Sequence, residues 1–144
     1  MKKLFVLALA VAFFAKPASA FSGESVNTKA SKSFNAAYKG ASNIWSTRNG
    51  YDEVLFFWHD TLMDSYYTKD GSLVATFHKV DLTTLPYDAQ KELATTYKKY
   101  QINCISMMER PGEDPVYYVS VQNRHTYILE ISTSGSVDLF KYIR

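Results

Sequence analysis

The chain has 144 residues, 47% of them hydrophobic and 15% aromatic, with a formal net charge of +2. That length supports one modest core, and neither a basic cluster nor a charge excess points to nucleic acid as a partner. A single cysteine, Cys104, excludes an intramolecular disulfide, so the fold has to stand on its packing.

The N-terminus reads first as an address. Lys2 and Lys3 precede an apolar run from Leu4 to Ala15, and Ala18-Ser19-Ala20 follows. A charged start, a short apolar run and an A-x-A site make a secretory signal peptide, cleaved before Phe21. The run is too short for a stable transmembrane anchor, and no cysteine follows the cleavage site to carry a lipid. The expectation is a leader at residues 1–20 and a single soluble domain at 21–144, exported to the periplasm or beyond. Without Lys2, Lys3 and Lys16 the mature chain keeps 13 Lys and Arg against 14 Asp and Glu, a formal charge of −1.

The mature chain opens on a helical pattern. Val26, Ala30, Phe34 and Tyr38 recur every four residues, with Gly40 as a stop signal. A short strand around Ile44-Trp45 and a turn at Asn49-Gly50 follow. "YDEVLFFWHD" is a strand whose two faces, Val54/Phe56/Trp58 and Glu53/Leu55/Phe57/His59, are both apolar in the middle. Either both faces are covered or one is an exposed binding face. Leu62 to Tyr67 and Leu73 to Val80 pair across Asp70-Gly71, a hairpin signal because glycine accepts positive φ.

The second helix lies in "LTTLPYDAQKELATTYKKY". Thr83 or Thr84 supplies a cap, Pro86 suits the first turn, and Leu85, Ala89, Leu93 and Tyr97 form the stripe. Four more strands follow: "QINCISMMER", "VYYVSVQ", "TYILEIS" and "VDLFKYIR", with turns at Pro111 to Pro115, Gln122 to Arg124 and Ser134-Gly135.

Helix and four strands therefore occur twice. Phe34, Tyr38 and Trp45 match Leu93, Tyr97 and Cys104 at a spacing of 59, and Gly71-Ser72-Leu73 matches Gly135-Ser136-Val137 at 64. A tandem duplication accounts for constant offsets within each block. The expected fold class is α+β: two tandem helix-plus-four-strand antiparallel repeats, about 25–81 and 82–144, forming one sheet with both helices on one face.

In this order the segments "FNAAYKGASNIW", "YDEVLFF", "YYTKDGSLVAT", the "LP" opening of helix two, "LATTYKKY" and "VYYVSV" resemble the PepSY-like, β-lactamase-inhibitor-like secreted bacterial proteins. The resemblance covers nearly the whole mature chain. It implies a two-repeat α+β fold with a concave sheet, in a group associated with protein or peptidase binding rather than catalysis. The β-lactamase inhibitors bind through an aromatic-rich sheet and a hairpin loop. They also carry disulfides, which this chain cannot form.

Catalytic chemistry has little support in the residues. His59, Asp60 and Asp64 form the one local acid-base or metal-binding candidate, but they lie at a turn, where aspartate serves the backbone. Cys104 sits among Ile102, Ile105 and Met107 and reads as a small buried side chain. No cofactor, metal site or catalytic group is expected. The aromatic strands carry more. Phe57, Tyr66, Tyr118 and Tyr127 are expected to face away from the helices, with His59 and Tyr67 beside them. Amphipathic aromatics concentrate binding energy at low entropic cost.

The reading is a non-enzymatic exported module. It engages an envelope or secreted protein or peptide, with an inhibitory role as one form, through Phe57, His59, Tyr66, Tyr67, Tyr118 and Tyr127. The alternative is a small-molecule or lipid carrier with a pocket between helices and sheet.

Overall fold

The computed structural model describes residues 26–144. The expected leader and residues 21–25 lie outside the described residues. The chain is α+β and divides into two compact units, residues 26–78 with 110–112 and residues 79–109 with 113–144. Each is a four-stranded antiparallel meander with one α-helix, and within each the strand order is that of the sequence.

In the first unit α1 spans Thr28–Ala37. Asn27 caps it: its Oδ1 accepts from the Lys29 N–H at 3.0 Å, satisfying one of the donors that a helix start leaves unpaired. The Asn27 amide donates to Asp52 Oδ2 at 2.9 Å and to the Lys69 carbonyl at 2.8 Å, and Lys69 Nζ meets Asp52 Oδ1 at 2.6 Å. One side chain thus ties the helix start to a strand and to a hairpin loop. The helix stripe lands on β1 (Asn43–Arg48), β2 (Tyr51–Trp58) and β3 (Thr61–Tyr67). Ala30 and Phe34 are fully buried against Val54, Phe56, Met63 and Tyr67. Phe34 meets Phe56 edge-on at 4.8 Å and Trp45 edge-on at 5.6 Å, the arrangement that ring quadrupoles favour.

The turns follow from backbone sign. Asn49 and Gly50 both have positive φ, 51° and 83°, as a two-residue turn with the twist of its strands requires. His59 and Asp60 do the same between β2 and β3, at 48° and 62°, without a glycine. β3 and β4 (Leu73–Lys79) are joined by a loop rather than a two-residue turn: Thr68 N–H bonds the Ser72 carbonyl at 2.9 Å and Gly71 N–H the Thr68 carbonyl at 3.0 Å. Thr68 Oγ1 also donates to Asp70, and that hydrogen bond, ahead of those from Ser72, holds the Asp70 carboxyl below its usual range.

In the second unit α2 spans Tyr87–Thr95, and Ala89 and Leu93 are the buried stripe. Its start departs from expectation. Leu82–Thr84 forms a 3-10 turn, Pro86 is extended at the cap position, and no side chain caps the helix. Pro86 brings no backbone N–H of its own to the helix start, and its fixed φ suits the extended conformation it holds there. The stripe packs on β5 (Gln101–Glu109), β6 (Val116–Gln122) and β7 (Thr126–Ile131), with Ile105, Val119, Val121, Leu129 and Ile131 buried beneath it. β8 (Val137–Ile143) pairs with β7. The β7–β8 loop repeats the closure of the β3–β4 loop: Ser132 N–H to the Ser136 carbonyl at 3.1 Å, Gly135 N–H to the Ser132 carbonyl at 3.0 Å.

Both loop glycines have a second duty. A Cβ on Gly71, at φ 88°, would stand 2.8 Å from the Lys29 carbonyl carbon and oxygen in the first turn of α1. A Cβ on Gly135, at φ 89°, would stand 3.1 Å from Asp88 Cβ at the start of α2. Gly50, at φ 83°, has open space around it. Chemical denaturation should therefore rank the three alanine variants. Gly50→Ala should cost about 1 kcal/mol for the left-handed backbone alone. Gly135→Ala should cost more, and Gly71→Ala, which meets backbone that cannot step aside, should cost most, on the order of 3 kcal/mol. Equal losses at all three would deny the close approach of loop to helix.

Candidate functional site

The helix takes one face of each meander, so the site is built from the other. On β2 the residues alternating with the helix-packed Val54 and Phe56 are Glu53, Leu55 and Phe57. Register places Ser46 and Tyr66 beside Glu53, Ile44 and Asp64 beside Leu55, and Leu62 beside Phe57. Two chemistries share this face. Phe57 is 62% exposed, Ile44 52% and Leu62 48%, forming an apolar cluster at one end. Isolated exposed hydrophobes need no explanation, but neighbouring ones on a single sheet face mark a surface that water covers poorly.

At the other end of the face lies a polar cluster. The Tyr66 hydroxyl reaches Glu53 Oε1 at 2.8 Å and Asp64 Oδ2 at 3.2 Å, and Glu53 Oε2 accepts from Ser46 Oγ at 2.8 Å and Arg48 Nε at 3.0 Å. Glu53, Asp64 and Tyr66 are all buried. Burial first, then the Asp64 and Glu53 charges, push the Tyr66 hydroxyl far above the ordinary tyrosine range, so it stays a donor at every physiological pH. The phenol serves as a fixed proton held between two carboxylates.

The expected site residues do not gather into one exposed surface. Phe57 and His59 are exposed, at the end of β2 and in the turn after it, and the His59 ring meets Trp58 edge-on at 4.8 Å. Tyr66 is buried on the helix-free face. Tyr67 is buried on the helix-packed face of the first unit, a register shift between Tyr66 and Tyr67 marking the end of regular pairing. Tyr118 is buried on the helix-free face of the second unit, bonded to Glu130 Oε2 at 3.0 Å and against Phe140 at 4.9 Å. Tyr127 departs from the expected face: it is half-buried against the helix-packed cluster and touches Tyr100 and Tyr142. Ile44 and Leu62 belong to the exposed cluster and were not singled out by sequence. Their signal is the register that places them beside Leu55 and Phe57, which only strand pairing reveals.

Of the other candidates, His59 and Asp60 shape a turn, while Asp64 lies within the tyrosine cluster. Among the described residues no three His, Cys, Asp or Glu side chains converge to hold a metal ion. Cys104 borders a recess of about 300 Å³ lined also by Lys79, Val80, Asp81, Asn103 and Ile105. Burial raises the Cys104 thiol above its ordinary range and Lys79 offsets this only in part, so the thiolate needed for nucleophilic chemistry is suppressed.

No family model matches the chain, and no curated protein matches it in sequence. Solved structures do match it in shape. A protein from Bacteroides fragilis described as BLIP-like superposes with a TM-score of 0.74 at 14% identity, covering 84% of this chain and 89% of that one. The chain has the BLIP-like fold. A DUF2874 family protein from Bacteroides ovatus matches with a TM-score of 0.73 at 19% identity over 80% of this chain and 86% of that one. A Bacteroides eggerthii protein provisionally described as periplasmic matches at 0.76 and 15% identity over 83% and 90%. At these identities the shared property is the BLIP-like backbone. Among the described residues no helix is long and apolar enough to cross a membrane.

The buried phenols make alkaline stability a test of the site. Burial first, then Tyr38, raises Tyr67 from 10.0 to about 12, and Tyr66 is raised further. Both are protonated in folded and unfolded chains below pH 10, so their contribution is intact there. Between pH 10 and 12 the unfolded chain releases the protons and the folded chain keeps them. Stability should then fall by up to about 1.4 kcal/mol per pH unit for each tyrosine. Urea midpoints measured from pH 9 to 12 should show this slope, reduced in Tyr67→Phe. At neutral pH Tyr66→Phe should itself cost about 1–3 kcal/mol, because two buried carboxylates lose their shared donor.

Proposed function

We propose that the protein is an exported, non-enzymatic binding module that engages a protein or peptide of the cell envelope through the helix-free face of its first unit. The observation that carries this reading is the exposed cluster of Phe57, Leu62 and Ile44 on one sheet face. An aromatic ring with flanking aliphatic side chains is the usual core of a protein-binding hot spot. A rigid sheet presents it without the ordering cost of a loop. His59, in the adjoining turn, adds a polar rim, and Tyr66 holds the buried part of the face in place.

Several observations support the wider setting. The leader-like N-terminus argues for export. The BLIP-like backbone, shared with a protein provisionally described as periplasmic, fits the same compartment. The suppressed Cys104 thiol and the structural duties of His59, Asp60 and Asp64 fit a binding role better than a catalytic one. The recurring offsets of 59 and 64 fit two tandem copies of one helix-and-meander unit within a single mature domain.

The test uses protein starting at Phe21, immobilised and exposed to envelope extract, with binding constants then measured for whatever is captured. Phe57→Ala should weaken capture on the order of 30-fold, corresponding to about 2 kcal/mol for a hot-spot aromatic. Phe57→Ala/Leu62→Ala should abolish it while circular dichroism stays unchanged. Equal capture by wild type and the folded double variant would remove this face from the function.

A further inference from the structure

A second surface lies at the outer edge of the second unit. β8 has β7 on one side, and among the described residues no strand pairs with its other side. An unpaired strand edge is a row of unused N–H and C=O groups, and soluble proteins guard such edges with charges or irregularities. β8 carries both, together with exposed apolar side chains: Leu139 is 61% exposed and Tyr142 39%.

The pattern of the charges is specific. Glu130 pairs with Asp138, Leu129 with Leu139 and Ile128 with Lys141, so the register shifts between Ile128 and Leu129 and β8 holds one extra residue at Phe140. In a regular strand Asp138 and Lys141, three apart, would point to opposite faces. The extra residue changes that: their partners Glu130 and Ile128 are two apart, so Asp138 and Lys141 share a face. They flank Leu139 and Phe140 nearly symmetrically. Val137 and Tyr142, paired with Ile131 and Tyr127, lie on the other face just outside them.

A strand with an acid and a base placed symmetrically about its centre on one face is complementary to itself when run antiparallel. We propose that β8 pairs with β8 of a second copy about a two-fold axis near Leu139. Asp138 then faces Lys141 of the second copy, Lys141 faces its Asp138, Val137 and Tyr142 face each other across the junction, and Leu139 loses its exposure. The same two charges that repel a uniformly charged or apolar strand select another copy of this one. An isologous contact satisfies both ends at once and closes, so the assembly stops at a dimer. A ladder of seven residues lies at the small end of specific interfaces, so the association is reversible. The candidate face described above lies on the first unit, so either proposal can fail without the other.

Charge reversal tests it directly. Sedimentation equilibrium of protein starting at Phe21 should show a monomer–dimer equilibrium up to about 1 mM, a range in which even a millimolar dissociation constant populates the dimer. Raising salt from about 0.05 to 0.5 M should weaken it, since the pairs are exposed and screened. Asp138→Lys or Lys141→Asp alone should each weaken the dimer at least tenfold, because each places two like-charged pairs across the axis. Asp138→Lys/Lys141→Asp together should restore it to within about threefold of wild type. Circular dichroism would confirm that each variant is folded. A wild type that stays monomeric throughout, a dimer indifferent to the single reversals, or a double variant that fails to recover would each overturn the proposal.

Discussion

The fold depends on how closely a hairpin loop can approach the start of a helix. In each unit a loop of the same hydrogen-bond pattern turns through a left-handed glycine and lies against the first turn of that unit's helix. Gly71 leaves no room for a Cβ against the Lys29 carbonyl, and Gly135 leaves little against Asp88. Once the helix start is pinned there, its apolar stripe has one place to go. Ala30 and Ala89, both fully buried, let the helix sit close to the strands, and Phe34 and Leu93 one turn later fill the core beneath. Asn27 adds a polar lock in the first unit, where cap, strand carboxylate and loop carbonyl meet on one amide. In the second unit α2 starts from an extended Pro86 with no side-chain cap.

Much of this was legible in the sequence, for physical reasons. Helical stripes at every fourth residue and glycine or asparagine between alternating runs are local signals, and both helices and all eight strands appear in the expected order. The turns at Asp70-Gly71 and Ser134-Gly135 were legible too, because a backbone at positive φ calls for glycine in the local sequence. What failed was parity across irregularities. Tyr127 was expected to face away from the helices beside Tyr118. The Asn123–His125 turn instead pairs Tyr118 with Glu130 and Val121 with Tyr127, which sets Tyr127 on the helix-packed side. A one-residue uncertainty in a turn inverts every later side chain in a strand. Burial failed for a related reason. An aromatic on the helix-free face reads as exposed from sequence, yet Tyr66 is buried among carboxylates that lie 13 and two residues away along the chain.

The candidate site shows the same division between local and non-local information. Phe57 was legible as an apolar residue on the face opposite the core. Its neighbours Leu62 and Ile44 come from two other strands and are joined to it by register alone. The polar cluster was invisible in sequence, since Ser46, Arg48, Glu53, Asp64 and Tyr66 carry no spacing motif and meet through three strands. Such a cluster has a direct structural consequence. Two buried carboxylates tolerate each other only where donors are fixed between them, so the tyrosine hydroxyl and the arginine constrain β1, β2 and β3 to one register.

That constraint explains how an apolar patch can be carried safely on a sheet. An exposed hydrophobic cluster on a loosely registered strand invites slippage and aggregation. Here the exposed end of β2, at Phe57, is held by the His59-Asp60 turn on one side and by the Glu53–Tyr66 cluster on the other. The turn accepts two non-glycine residues at positive φ, a backbone cost on the order of 1–2 kcal/mol per residue that the strands on either side must offset. Strain of that kind persists where the surrounding structure over-determines the conformation, and it fixes where the neighbouring side chains point. The first unit thus places its rigidity next to its most exposed aromatic ring. A chain whose single cysteine allows no intramolecular disulfide obtains this rigidity from register, turn and buried hydrogen bonds.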